Sequence, residues 1–457
     1  CVLVPPRLRS AAAQFLGEHG FALETPCLHL PDWDASRYIV PLALGPARYA
    51  YTQLIPTQPL KRLAFTWLLR LPGGQQRLTR ALPAITLIGR RGRPIFHWLF
   101  QDPAHIASDQ GGQNPGHVIT STSWRTRRVS IVLHRFAPDK PGQPSAVPDI
   151  VAKIVDSAGE SRGAACDMPP VCDTQAGPGF ESRPTTTPTL SATNREAAVL
   201  TQIAPNAARA GARVPAVVRN MLLGKHEAVL ETVVSGQTAA ALLTGRPERL
   251  PNVLDQLALW LEAWGQLTRS AYEGAAACAL LEATVLGPAR LLCSRLPDGD
   301  KYLAWLIERC QNATLVPCVA AHNDLTLWNV IWDDRVPAST GIVDWHESSA
   351  KALPLVDLVY VIVDAVTVAR RWTRPRAFEA CFTPDGAFGP QTRTRLRRLV
   401  QALDVPTGLS DVCVHACFVG HAAHELAHSG LSTPKPFFDI AAWLASHRLE
   451  LVQWLNS

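Results

Sequence analysis

No run of about 18 apolar residues in this chain is free of charge, which argues against a membrane-spanning helix. No signal peptide is recognisable at the start. The chain opens on Cys1 rather than Met, so its natural start is expected upstream. The cysteines lack the even count of a disulfide framework: there are 11, scattered, which suits a reducing cytosol and makes a cytoplasmic protein the expectation. Cys166 and Cys172 lack zinc-pair spacing and read as two free thiols. Apolar periodicity is missing from 157–192, a low-complexity stretch rich in Pro, Thr, Ser and Gly that is expected to be disordered.

What is present suffices for a real core. The 457 residues are 47% hydrophobic and include 13 Trp, enough for two or three domains. Net charge is +6 and uneven: residues 1–250 carry about +10, the remainder about −4. Arg90-Arg91-Gly92-Arg93 and Arg125-Thr126-Arg127-Arg128 are basic clusters. They read first as a solvated face, and association of this basic half with an anionic membrane surface stays open; no nucleic-acid partner is expected.

The densest chemistry lies between Ala321 and Leu358, AHNDLTLWNVIWDDRVPASTGIVDWHESSAKALPLVDL. It holds His322-x-Asp324, then Asn329, then Asp344-Trp345. LWNVIW and TGIVDW read as two short strands joined by the polar turn Asp333-Asp334-Arg335. A hairpin with Asp324 and Asn329 on its incoming side and Asp344 at its outgoing end gathers three oxygen-bearing side chains. Phosphoryl transfer needs such a set: one carboxylate to orient a hydroxyl and take its proton, an amide and a second carboxylate to hold Mg²⁺ against phosphates.

The order His-x-Asp-x4-Asn followed by Asp resembles the catalytic loop and metal-binding Asp of protein kinases. Asp344-Trp345, in place of Asp-Phe-Gly, makes it more similar to the aminoglycoside phosphotransferase and choline kinase family, whose members phosphorylate small molecules on a kinase-like fold. That family usually has Gly where this chain has Asn323. The resemblance implies that Asp324 is the catalytic base, that His322 braces the loop, that Asn329 and Asp344 hold Mg²⁺, and that Asp357 is structural. It further implies an N-lobe Lys on a strand and a Glu on a helix. Lys153 is the one charge in IVAKIV, and Glu196 lies in the first turns of a helix that Thr193 can cap. Glu227–Gly236 is strand-like until Gly236 and resembles the hinge between lobes, which implies that backbone groups there, at Glu231 and Val233, meet the base of the nucleotide. Ser121-Thr122-Ser123-Trp124-Arg125-Thr126 is read as the loop between the first two strands; it has no glycine, and Ser121 and Ser123 are its candidate phosphate contacts.

Elsewhere the pattern is mostly helical. Helices are expected from an Asn252 cap through Ala271, over Lys301–Cys310, Val356–Ala369, Gln391–Leu403 and Phe437–Leu455, and, in the N-terminal part, over Arg7–Gly17 and Leu60–Leu71, with a strand at Ile85–Gly89. His424-Glu425-Leu426-Ala427-His428 is a literal H-E-x-x-H, which on a helix can bind Zn²⁺ for a metalloprotease; it lacks a third ligand at a known offset. The expected architecture is therefore α+β: a two-lobed, protein-kinase-like fold whose N-lobe is an antiparallel sheet plus helix and whose C-lobe is mostly helical. Its expected divisions are an extra N-terminal extension or small α/β module over 1–105, the N-lobe over 106–234 and the C-lobe over 235–457. The expected activity is phosphoryl transfer from ATP or GTP to a small-molecule hydroxyl of aminoglycoside, choline or sugar type. The rival readings are a catalytically inactive scaffold and the zinc protease.

Overall fold

The computed structural model describes residues 21–30, 38–41, 46, 49–50, 67, 71, 84–90, 117–125, 128–136, 148–155, 192–223, 226–335, 340–428 and 435–456. Two compact units divide the chain. One is built from Cys1–Glu160, Ser191–Ala197 and Pro215–Val233, and the chain leaves it for good at Val234. The expected helices Arg7–Gly17 and Leu60–Leu71, the 157–191 stretch and Cys166 and Cys172 lie outside the described residues, Trp67 and Leu71 apart.

Among the described residues the first unit is an antiparallel sheet. Its strands are β1 (Phe21–Leu30), β2 (Tyr38–Pro41), β3 (Ala84–Arg90), β4 (His117–Arg125), β5 (Arg128–Phe136), β6 (Ile150–Val155), β8 (Val217–Leu223) and β9 (His226–Thr232), in the order β3-β1-β2-β4-β5-β6-β9-β8. These segments are rich in β-branched and aromatic residues, which fit a pleated surface. Alternation along β6 sends Ala152, with Ile150 and Ile154, to one face, where they pack with Leu133, Leu230 and Met221. Lys153 therefore points to the opposite face. β2 pairs with β4 through Tyr38↔Ser121 and Ile39↔Thr120. The described strands before residue 105 thus extend this sheet rather than forming a module of their own.

Helix α1 (Ala192–Arg209) begins before Thr193, so Thr193 lies within it and does not cap it. The second unit takes α1 from Ala198 onward together with β7 (Ala212–Arg213), and continues with β10 (Gln237–Thr238), α2 (Ala239–Gly245) and α3 (Leu250–Thr268). Helix α3 starts two residues before Asn252, with Pro251 in its first turn, where a missing N–H costs nothing. It stops before Ala271, because Ser270–Glu273 forms β11 and pairs with β12 (Leu315–Ala321). Next come α4 (Gly274–Leu281), a π-helical turn, α5 (Gly287–Cys293) and α6 (Gly299–Gln311). The stretch Gly274–Cys293 has the length and hydropathy, 1.5, of a membrane span, yet it carries Glu282 and Arg290, which pair with one another.

After β12 come the strands β13 (Val330–Trp332) and β14 (Thr340–Ile342), then β15 (Ser349–Ala352), α7 (Val356–Arg370), α8 (Arg374–Phe382), α9 (Gly389–Ala402), α10 (Ser410–His428) and α11 (Pro436–Asn456). Two small sheets, β10-β13-β14-β7 and β11-β12-β15, are set among the helices. At the first, Gly236 holds a φ of +130°, and a Cβ there would come 2.5 Å from the Trp332 carbonyl oxygen. The core beneath β12 is aromatic. Trp264 of α3 donates its indole N–H to the Ala320 carbonyl at 2.5 Å and packs on Trp345, with ring centres 5.7 Å apart. Helix α7 is buried from Asp357 through Val366, two carboxylates included.

Candidate functional site

The loop after β12 is held from below by α7. Asp357 accepts the backbone N–H of His322 at 2.7 Å and that of Asn323 at 2.9 Å. Two turns along the same helix, Asp364 accepts the N–H of Leu327 at 2.8 Å. Both carboxylates are buried, and burial raises both pKa values against the opposing pull of their hydrogen bonds. The loop is thus pinned at both ends by side chains seven residues apart on one helix face. Asn323 sits between them at φ +63°, left-handed backbone that Asn tolerates better than other residues with a Cβ. That accounts for Asn where the resembling family has Gly. Its side-chain amide donates to the Glu347 carbonyl at 2.9 Å.

His322 is completely buried. Its Nε2 lies 2.9 Å from the Val343 carbonyl, and its Nδ1 accepts the Asp324 N–H at 3.3 Å. The tautomer that satisfies both carries its proton on Nε2. The ring also packs on Trp345, with centres 4.9 Å apart. His322 spans from the loop to β14's outgoing end, which makes it a brace and keeps it from solvent.

Asp324 is half-buried. The Asn329 side-chain amide donates to the Asp324 carbonyl at 2.8 Å and lies 3.4 Å from its Oδ2, while the Tyr360 hydroxyl lies 3.5 Å from Oδ1. With Asn329 Nδ2 turned toward Asp324, Oδ1 is the atom that Asn329 can offer a cation. The Val343 N–H donates to the Asn329 carbonyl at 3.0 Å, continuing the β13–β14 register Val330↔Ile342, so Asn329 lies across the hairpin from the residue before Asp344. Asp344 has φ +68°, and its Oδ1 accepts from His346 Nδ1 at 2.9 Å. His346 also reaches Glu347, at 3.2 Å. Burial works against its charge, but the bonds to Asp344 and Glu347 outweigh that and raise its pKa to about 10. Asp324, Asn329 and Asp344 are thereby brought to one hairpin, as the spacing predicts. Leu327 and Trp328 belong to the preceding turn rather than to the first strand.

In the sheet unit, Lys153 contacts Glu196 of α1 closely and lies 3.4 Å from Glu231. The register explains the second contact: Val151 faces Glu231 and Lys153 faces Val229, so Lys153 and Glu231 are diagonal neighbours on one face of the sheet. Glu231 is 3% exposed and its carboxylate is turned toward Lys153, so any part it takes in a nucleotide-facing hinge falls to its backbone. Pairing register was the missing signal. Val233 donates its N–H to the Asp149 carbonyl at 3.4 Å. Ser121 and Ser123 are a further correction. Both lie inside β4, opposite Val132 and Ser130, because the hairpin stays in register from His117↔Phe136 to Arg125↔Arg128. Only residues 126–127 remain for the turn, and they lie outside the described residues.

His424-Glu425-x-x-His428 lies in α10. The Glu425 carboxylate accepts the backbone N–H groups of Phe437 at 3.1 Å and Phe438 at 3.0 Å, at the start of α11. It thus serves as a helix cap delivered from a neighbouring helix. Among the described residues no group of three or more His, Cys, Asp or Glu side chains is placed to hold a metal. Oxygen ligation of Mg²⁺ is a different requirement: one or two carboxylates complete their set with phosphate oxygens and water. Asn329 Oδ1 and the Asp344 carboxylate suit that hard-oxygen role.

Residues 182–397 match the model of the phosphotransferase enzyme family. The match includes Glu196, the whole loop and α7, and leaves out Lys153 and the 424–428 segment. No curated protein matches the chain. Among solved structures, the aminoglycoside phosphotransferase APH(3'')-Id from Streptomyces rimosus is 14% identical with a TM-score of 0.38, over 69% of this chain and 96% of that one. A thermostable mutant of aminoglycoside phosphotransferase APH(4)-Ia, in a ternary complex with ADP and hygromycin B, is 13% identical with a TM-score of 0.41, over 74% and 94%. Aminoglycoside-3'-phosphotransferase of type VIII is 19% identical with a TM-score of 0.32, over 67% and 90%.

Proposed function

We propose, from the match of residues 182–397 to the model of the phosphotransferase enzyme family, that this chain transfers the terminal phosphoryl group of ATP or GTP to a hydroxyl of a small molecule. The observation that carries this reading is the hairpin that gathers Asp324, Asn329 and Asp344 over the Asp357 and Asp364 clamps. Asp324 orients the acceptor hydroxyl and takes its proton as the oxygen bonds to the terminal phosphorus, and the bond from that phosphorus to the bridging oxygen of the leaving diphosphate breaks. Asn329 Oδ1 and Asp344 would hold Mg²⁺, whose contribution is to neutralise charge on the phosphates. Lys153, held by Glu196 and Glu231, supplies a cation for the α- and β-phosphates. His322 keeps Asp324 in place and stays out of the chemistry. Most of the rate enhancement in such a site comes from positioning and charge stabilisation. A cytosolic setting, where nucleotide is abundant, belongs to the same proposal.

The decisive experiment compares the full chain with Asp324→Ala in transfer of the terminal phosphate from radiolabelled ATP and GTP across a panel of alcohols. Loss of transfer by about 100-fold or more, with nucleotide affinity within a few-fold, is expected. Retained turnover above about a tenth of the wild-type rate rejects the base role. An inactive scaffold would show no turnover in either protein. A zinc protease would cleave peptides and stop on chelation.

A further inference from the structure

We propose that the acceptor is a ring-bearing alcohol without net positive charge, held against an aromatic wall of Tyr360, His421 and Phe437 beside Asp324. This deepens the phosphotransferase reading and rests on it.

Three helices each bring one ring to the same place. Tyr360 of α7 stacks on His421 of α10 with centres 4.4 Å apart and planes inclined by 16°. His421 stacks on Phe437, at the start of α11, at 4.9 Å and 23°. Tyr360 and Phe437 are 6.0 Å apart at 25°. The rings are thus nearly parallel, and the panel begins at the proposed base, since the Tyr360 hydroxyl lies 3.5 Å from Asp324 Oδ1. Tyr360 is 6% exposed, so a ligand would meet the wall at those parts of half-buried His421 and Phe437 that the stacking leaves open. In the loop, Trp328, directly before Asn329, is 39% exposed. Flat apolar faces with a hydrogen-bonding group at one end favour a ring whose hydroxyl must be aimed.

The charge pattern around the wall disfavours a polycation. Arg374 lies over Phe437, 5.0 Å from its centre, and pairs with Asp364 at 3.3 Å. His421 is an uncharged ring at neutral pH: burial first, then His424 and Arg374, push its pKa down to about 4. The carboxylates nearest the wall already have partners. Asp364 holds Arg374 and the Leu327 N–H, and Glu425 caps α11. Glu347 pairs with His346 yet is 61% exposed, and Asp439 is a second exposed acid on the neighbouring turn of α11. An acceptor with several ammonium groups needs several carboxylates free to face it, whereas this surface sets aromatic rings and a guanidinium beside Glu347 and Asp439.

The test uses the full chain with Mg²⁺, ATP and a panel of alkyl glycosides, ring hydroxy acids and polycationic aminoglycosides. The expected result is that the acceptor with the highest kcat/KM is a neutral or anionic ring alcohol, at least about 10-fold above any aminoglycoside. Phe437→Ala is expected to raise its KM about 10-fold with kcat within about 3-fold, as loss of one stacking face would. Phe437→Leu keeps apolar bulk without the ring and is expected to give the same KM effect, so a folding defect in the alanine variant cannot imitate the result. An aminoglycoside as best acceptor overturns the proposal, as does an unchanged KM in both variants. Nucleotide hydrolysis that Asp324→Ala abolishes, with no ring alcohol accepted, also overturns it while leaving the phosphotransferase reading intact. Absence of any Asp324-dependent nucleotide turnover is instead the failure of that underlying reading.

Discussion

Asp357 never meets a substrate in this reading, yet its loss should be among the costliest single changes in the helical unit. In Asp357→Ala the N–H groups of His322 and Asn323 lose acceptors at 2.7 and 2.9 Å. An unsatisfied buried donor costs about 1–3 kcal/mol, and the second N–H, only partly buried, costs less. Removing a carboxylate that burial already disfavours offsets part of this. The net loss should be about 2–3 kcal/mol, a fall in Tm of roughly 5–10 °C for a unit of this size. Freed of its clamp, the left-handed turn at Asn323 can relax and carry Asp324 with it. A displacement near 1 Å would lower turnover by about 100-fold. Asp357→Asn keeps one oxygen acceptor and should fall between wild type and alanine in both measurements. The assays are urea unfolding of the full chain and single-turnover phosphate transfer at saturating nucleotide. A stability loss under about 1 kcal/mol, or turnover within about 3-fold of wild type, would refute the clamp argument.

Four further outcomes are expected. Asn323→Gly removes left-handed strain but also the bond to Glu347, so unfolding free energy should change by less than about 0.5 kcal/mol; Asn323→Ala keeps the strain and loses the bond, costing about 1–2 kcal/mol. Asp344→Asn should weaken nucleotide binding in the presence of Mg²⁺, read by titrating the ion against a fluorescent nucleotide; identical metal dependence in both proteins would place the ion elsewhere. Buried His415, whose pKa burial and then Arg309 and Arg448 push down to about 3, protonates in the unfolded chain below about 6.5 but not in the folded one, so its contribution is intact above that pH and is lost as pH falls. Melting at pH 7 and pH 5 should show about 2 kcal/mol of that loss, and His415→Phe should be less stable at pH 7 yet have a shallower pH slope. Glu425→Ala should cost about 1–2 kcal/mol through the lost cap, and protein purified without a His-tag should hold no stoichiometric zinc by elemental analysis.

Sequence carried the order of chemistry better than its surroundings. Local strand pairing is enough to bring Asn329 toward Asp344, and the short loop before β13 carries Asp324 to Asn329. Lys153 stood out as the one charge in an apolar strand, and its partner Glu196 followed from helix placement. Glu231 did not, because a diagonal contact across β6 and β9 depends on register, which no local pattern in a β-branched run specifies. Ser121–Arg125 forms strand rather than loop for a related reason. Without glycine, alternating Ser, Thr and Trp residues are as compatible with continued strand as with a loop, and pairing with Val129–Val132 decided for strand. Asn252 failed as a cap because Pro251 allows the helix to start earlier.

The literal H-E-x-x-H shows the limit of motif reading in the other direction. The spacing puts His424, Glu425 and His428 on a helix, as a zinc site requires. What the motif cannot encode is what stands opposite that face. Here it is the first turn of α11, whose unpaired N–H groups draw the Glu425 carboxylate. The same turn presents Phe437 to His421 and thence to Tyr360 at the proposed base. Glu425 therefore supports the wall indirectly: by capping α11 it fixes the backbone from which Phe437 projects. A residue whose spacing suggests proteolysis is thus coupled by geometry to the acceptor side of the phosphotransfer site, and the acceptor KM in Glu425→Gln, which retains one oxygen acceptor, should rise less than in Glu425→Ala.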